Sequence, residues 1–108
     1  MKFVKKPVVV DAWPVTELLN TFATRGVEGL PGEVADAYLE GSLEFPSPLI
    51  GKAQLDRIEV TTLEGVMVAR HGWWLIMGIR REFYPCEGDI FRASYDEVDH
   101  EPHLSIGL

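Results

Sequence analysis

The chain has 108 residues, which is enough for one domain with a single modest core. Its 17 acidic and 10 basic residues give a formal net charge of −7, which disfavours direct binding to duplex nucleic acid or to an anionic membrane surface. No apolar run approaches the roughly 18 residues of a membrane span, and the only cysteine, Cys86, excludes an intramolecular disulfide.

The N-terminal half predicts one strand and two helices. Residues 4–13 contain three consecutive valines and predict a strand buried on both faces at its centre. Residues 16–25 predict a helix that ends at Gly26, and residues 31–40 predict a second one that ends at Gly41. The apolar side of the first helix is expected to hold Leu18, Leu19, Phe22 and Ala23, and that of the second Val34, Tyr38 and Leu39.

The C-terminal half predicts short strands separated by glycine turns. Residues 41–51 predict a loop with at most a short extended piece, because they contain two prolines. The alternation of Ile58 and Val60 with polar residues predicts a half-buried strand, paired as a hairpin with residues 66–69. Four further segments are expected in chain order, namely strands at 73–77 and 82–84, a helical turn at 87–93 and an edge strand at 94–98.

These elements place the chain in the α+β class. We expect five to six short strands in a strongly curved, mainly antiparallel β-sheet or a small partly open barrel, with two short helices. Residues 1–98 are predicted to form a single globular domain, and residues 99–108 a flexible acidic tail.

Two blocks of the sequence resemble a family of small uncharacterised phage and prophage proteins. The first is the N-terminal run Lys5-Lys6-Pro7-Val8-Val9-Val10-Asp11-Ala12. The second contains the distinctive pentapeptide Glu82-Phe83-Tyr84-Pro85-Cys86. Its other matching positions are Thr62-Leu63-Glu64-Gly65, Gly72, Trp74-Leu75-Ile76, Gly78, Asp89-Ile90-Phe91 and Tyr95.

The resemblance implies a phage accessory protein that acts in the host bacterial cytoplasm, and it implies no reaction. The chain departs from the family pattern at three turns. Gly72-Trp73-Trp74 stands where the family commonly has Gly-Asp-Trp, Arg81 where it commonly has glycine, and Glu87-Gly88-Asp89 where it commonly has Lys-Pro-Asp. A site on this surface is therefore expected to differ from that of the family.

No motif for catalysis, a metal or a cofactor is present in the sequence. His100 and His103 are expected to be solvated parts of the tail, and Cys86 a structural thiol, with reactivity the weaker alternative. Glu82 and Asp89 are expected to serve in an ion pair and a helix cap. We expect no enzyme activity and no cofactor.

The residues that favour a binding site are aromatic and cationic. Because they are neighbours in one strand, Trp73 and Trp74 are expected to point to opposite faces, one into the core and one exposed. An indole beside guanidinium groups has the composition of a nucleotide-sized anion site, with sheet core and solvated charges as the alternative. The predicted ligand-binding residues are Trp73, Trp74, Arg70, Arg80, Arg81, Tyr84 and Glu82.

These features lead to a hypothesis of non-catalytic binding. The protein would sequester a nucleotide-type immune signal or block a host defence protein, and self-association into a homo-oligomer would help to enclose a small ligand. The alternative is a phage structural or assembly protein, or an accessory of DNA metabolism, that acts through protein–protein contacts.

Overall fold

The computed structural model describes residues 1–4, 6–46 and 55–98. The predicted loop beyond residue 46 and the predicted tail, with His100 and His103, lie outside these residues. Within the described residues, three α-helices and six strands form a fold of the predicted α+β class, with α-helix where the sequence predicts two helices and one further helical turn. They follow in the order β1 (Asp11–Pro14), α1 (Val15–Arg25), α2 (Gly32–Glu40), β2 (Leu43–Glu44), β3 (Arg57–Thr62), β4 (Gly65–Arg70), β5 (Trp74–Met77), β6 (Phe83–Cys86) and α3 (Gly88–Ser94), with a 3₁₀ turn at Gly26–Gly29.

The strands form two antiparallel sheets of three strands each. The first has the order β1-β5-β6 and the second β2-β3-β4. The strand β6 approaches β3 and β4, so the two sheets meet without closing into a barrel. The mainly antiparallel pairing expected from the sequence is therefore confirmed, and it takes the form of two sheets.

The predicted N-terminal strand is much shorter than expected. Asp11 pairs with Met77 in the β1–β5 ladder, and β5 ends at Met77. In this register Val10 would face Gly78, where the chain already turns back through a hydrogen bond from Arg81 N–H to Gly78 O. Residues 1–4 and 6–10 therefore have no strand partner among the described residues. The predicted burial of the valine run is wrong, since Val8 and Val9 are exposed.

The core lies between the helices and the inward faces of both sheets. In α1, Leu18 and Leu19 are buried and Phe22 packs against them, whereas Ala23 is exposed. In α2, Ala37 takes the core position expected for Leu39, which is 71% exposed. Ala37 lies three residues after Val34 and so shares its face, whereas Leu39 lies five residues after it and points away.

The hairpin β3–β4 confirms the alternation seen in the sequence, because Ile58 and Val60 are fully buried. The last predicted strand is wrong: α3 extends to Ser94, and residues 95–98 form no strand. The aromatic residues of α3 explain the change, since they pack over the first sheet as described below.

Candidate functional site

The predicted site residues lie around β5, and this strand separates them into two groups. Trp73 and Trp74 lie at its beginning, and Arg80 and Arg81 lie in the turn after its end at Met77. Four residues of strand span about 13 Å, so the backbone of the indole pair is far from that of the arginine pair. Arg70 lies with the indoles, since its carbonyl accepts a hydrogen bond from Trp73 N–H at 3.0 Å. Of the three predicted arginines, Arg70 therefore lies near the indoles in the backbone, whereas Arg80 and Arg81 lie at the other end of β5.

The two tryptophans contact different parts of the protein. Trp73 is half-buried and packs against the hydrophobic core, while its carbonyl accepts the Val15 N–H at the start of α1. Trp74 is also half-buried, and its ring stacks on Phe91 of α3. The separation of the two indoles agrees with the prediction, but the expectation that one of them is exposed is wrong.

A row of aromatic rings fastens α3 to the first sheet. Phe91 stacks on Tyr95 with ring centroids 5.0 Å apart, which extends the Trp74–Phe91 stack. Tyr84 lies opposite Ile76 in the β5–β6 ladder, on the same sheet face as Trp74. Burial, followed by hydrogen bonding to the Tyr95 side chain, raises the pKa of Tyr84 to about 12. Tyr84 is therefore a neutral member of this packing and a poor general base at neutral pH.

The turn after β5 is organised by Glu82 and contains a left-handed residue. The Glu82 carboxylate accepts the Arg80 N–H at 3.0 Å, and its carbonyl accepts the Gly78 N–H at 2.8 Å. Arg81 has φ 65°, a conformation that favours glycine. Glu82 thus has a local structural role, and Arg80 and Arg81 are held as exposed cations on a tight turn.

An open depression of about 270 Å³ lies where the β4–β5 turn meets α3. The residues that line it are His71, Gly72, Trp73, Glu87, Gly88, Asp89 and Arg92. Arg92 pairs with Asp89 at 2.6 Å, so its positive charge is already partly offset. Of the predicted ligand-binding residues, only Trp73 lines this depression.

The wall of the depression formed by His71 is fixed by a chain of hydrogen bonds. Gly72 N–H donates to the Thr16 hydroxyl at 3.0 Å, and that hydroxyl lies 3.2 Å from His71 Nδ1. His71 Nε2 lies 3.2 Å from the Leu55 carbonyl, which can only accept. Nε2 therefore donates to this carbonyl, and both ring nitrogens are engaged in joining the turn to α1 and to the residues before β3.

The thiol of Cys86 is not activated as a nucleophile. Burial, followed by the charge of Glu87, raises the pKa of the Cys86 thiol, which disfavours the reactive thiolate. Within residues 1–4, 6–46 and 55–98, no group of three or more His, Cys, Asp or Glu side chains could hold a metal ion. Among these same residues, no helix is both long and apolar enough to cross a bilayer.

Sequence reasoning missed the roles of Phe91, Tyr95 and Thr16. A signal for the first two was present, because aromatic residues four apart share one face of a helix. Comparisons with models of protein families, with curated proteins and with solved structures gave no significant match. The function is therefore argued from the geometry of this chain.

Proposed function

We propose that this protein is a non-catalytic binding protein that acts by covering a surface of a partner protein. The observation that carries the proposal is the tip of the β3–β4 hairpin, formed by Leu63, Val66 and Met67. Leu63 is fully exposed, and Val66 and Met67 are 65% and 40% exposed. Exposed apolar side chains gain free energy when a partner protein buries them.

The tip is exposed because the hairpin extends beyond the core. Ile58 and Ala69 are opposite each other and fully buried, and Val60, the next residue on that face, is also fully buried. Its partner Met67 is already partly exposed, and the pair Thr61 and Val66 is exposed. The apolar residues Met67 and Val66 of β4 thus lie beyond the edge of the core.

The tip is also held in shape by its own turn. The Thr62 hydroxyl donates to Gly65 O at 2.7 Å and accepts the Glu64 N–H at 3.1 Å, and Gly65 adopts φ 111°. A fixed apolar projection loses little conformational entropy when it enters a partner's pocket. This supports a contact site built on a rigid element.

The site chemistry favours binding over catalysis. His71 uses both ring nitrogens in structural hydrogen bonds, and the pKa of Cys86 is raised by burial. Neither group has the free base or the stabilised thiolate that nucleophilic catalysis requires. The partner that we propose is a host defence protein in the bacterial cytoplasm, a setting taken from the resemblance to phage proteins.

A second candidate function is capture of a nucleotide-type small molecule. It is favoured by one observation, that Trp73 and Arg92 line the same depression. The base of a nucleotide can stack on the indole, whereas the carboxylates of Glu87 and Asp89 repel the negatively charged phosphate. Isothermal titration calorimetry with cyclic and linear nucleotides tests this candidate. We expect the native protein to bind at least one of them and Trp73→Ala to lose that binding. If none of the nucleotides binds the native protein, this candidate is removed.

The test of the main proposal compares two variants. The protein is used to capture partners from infected cells, and each captured partner is purified and its affinity measured. Leu63→Ser with Val66→Thr should weaken binding at least tenfold, while Leu39→Ser, which alters another exposed leucine, on α2, should not. Equal affinity of both variants overturns the assignment of the tip. A partner that is a phage morphogenesis protein overturns the counter-defence setting and favours a role in assembly.

A further inference from the structure

The ten residues before β1 form an apolar and basic arm, defined here as residues 1–10. In its described part, Phe3 and Val4 are 88% and 91% exposed, and Val8 and Val9 are 48% and 40% exposed. These residue types have high strand propensity, yet β5 ends before it could pair with them. Within the part of the chain that the structure describes, the exposed residues of the arm are therefore available for strand pairing and for apolar burial.

The arm and the rest of the chain carry opposite charge. Three of the ten basic residues, Lys2, Lys5 and Lys6, lie in the arm, and all 17 acidic residues lie outside it. The arm therefore has a formal charge of +3 and the remaining 98 residues a formal charge of −10. This complementarity favours contact between an arm and a body of the same sequence, and it disfavours contact between two arms.

We propose that the arm binds to the acidic body of a second copy of this chain, and that reciprocal exchange of arms builds a homo-oligomer. In the first sheet the outer strand β1, which directly follows the arm, pairs with one neighbour only among the described residues. An extended segment can add to such an edge through main-chain hydrogen bonds, with its side chains placed alternately. Exchange between two copies closes the assembly, because each supplies one arm and one body.

This proposal is independent of the hairpin tip. The arm adjoins the end of β5 that carries Arg80 and Arg81, whereas the tip belongs to the β3–β4 hairpin of the other sheet. Substitution of the tip should leave the oligomeric mass unchanged, so the failure of one proposal is distinguishable from the failure of the other.

The experiment is light scattering after size exclusion, performed on full-length variants. The native chain should have at least twice the 12.1 kDa mass of one copy, and this mass should fall as salt is raised. Lys2→Glu with Lys6→Glu should give a monomer with unchanged thermal stability of the monomeric fold, since both lysines are exposed. The matched control Arg25→Glu with Arg80→Glu makes the same change in net charge at exposed body positions and should remain oligomeric.

A monomeric native chain at all concentrations overturns the proposal, as does a charge-reversed arm that leaves the mass unchanged. A second measurement identifies the contact. Carbodiimide joins lysines to nearby carboxylates, and an equal mixture of ¹⁴N and ¹⁵N chains separates links within one copy from links between copies. Links from Lys2 or Lys6 to body carboxylates should pair the two isotopes; links confined to one isotope contradict arm exchange.

Discussion

Trp74 and Phe91 stack face to face, with ring centroids 4.2 Å apart and ring planes within 10° of parallel. This contact joins the first residue of β5 to the middle of α3. It occupies a face of an indole that the sequence offered as a ligand platform. The stack therefore assigns Trp74 to packing, and leaves Trp73 as the indole that lines the depression.

We expect the stack to contribute strongly to stability. Trp74→Ala and Phe91→Ala should each lower the free energy of unfolding by about 2–3 kcal/mol, since large aromatic side chains are truncated. A double-mutant cycle should give a coupling of about 0.5–1.5 kcal/mol. Ile90→Ala is the control, because Ile90 neighbours Phe91 but is 57% exposed; its effect should stay within about 0.5 kcal/mol. Additive effects of the two aromatic substitutions would contradict the assignment.

The close approach of Gly88 to Gly72 predicts a second sensitive position. A Cβ at Gly88 would clash with the Gly72 carbonyl oxygen, so the turn or the helix must move. Gly88→Ala should destabilise the fold by about 1–3 kcal/mol, measured by urea unfolding. Gly32→Ala is the matched control, since a Cβ there meets nothing within 4 Å. Equal stability of the two variants would show that the close packing of Gly88 against the Gly72 carbonyl does not limit stability.

Arg81 offers a substitution that should stabilise the protein. Its φ of 65° costs a residue with a Cβ about 1–2 kcal/mol, and substitution by glycine removes this cost. The unfolded chain of the glycine variant has greater conformational entropy, which cancels part of the stabilisation. Arg81→Gly should therefore raise stability by roughly 0.5 kcal/mol. Arg80→Gly, at the exposed neighbour, is the comparison and should not stabilise. A loss of stability in Arg81→Gly would mean that the guanidinium makes a contact of its own.

The raised pKa of Tyr84 predicts a loss of stability in alkali. Because the pKa in the folded protein is about 12 against an ordinary value of 10.0, the neutral phenol stabilises the fold fully below pH 10, and this contribution declines as the pH rises from 10 towards 12. The midpoint temperature of thermal unfolding should fall more steeply between pH 10 and pH 12 for the native chain than for Tyr84→Phe. Parallel pH profiles of the two proteins would contradict the burial of the Tyr84 hydroxyl.

Local patterns in the sequence predicted those elements whose partners lie nearby in the chain. The alternation of Ile58 and Val60 with polar residues predicted β3 correctly, because such alternation is typical of a half-buried strand. Its partner β4 follows after one turn. Val8 and Val9 also have high strand propensity, but no strand among residues 1–4, 6–46 and 55–98 pairs with them, and propensity alone does not reveal this. The same limit applies to the site: Arg80 and Trp73 are close in sequence, whereas the intervening extended strand separates them.

We propose that this protein acts by binding and not by catalysis, and titration against its purified partner distinguishes the two. The activity of the purified partner is measured while increasing amounts of the protein are added. Binding alone predicts that inhibition rises in proportion to the added protein and saturates near one equivalent, and that Leu63→Ser with Val66→Thr shifts the curve to higher concentration. Complete inhibition by a small fraction of an equivalent, growing with incubation time, would contradict the claim, because only turnover acts in that way.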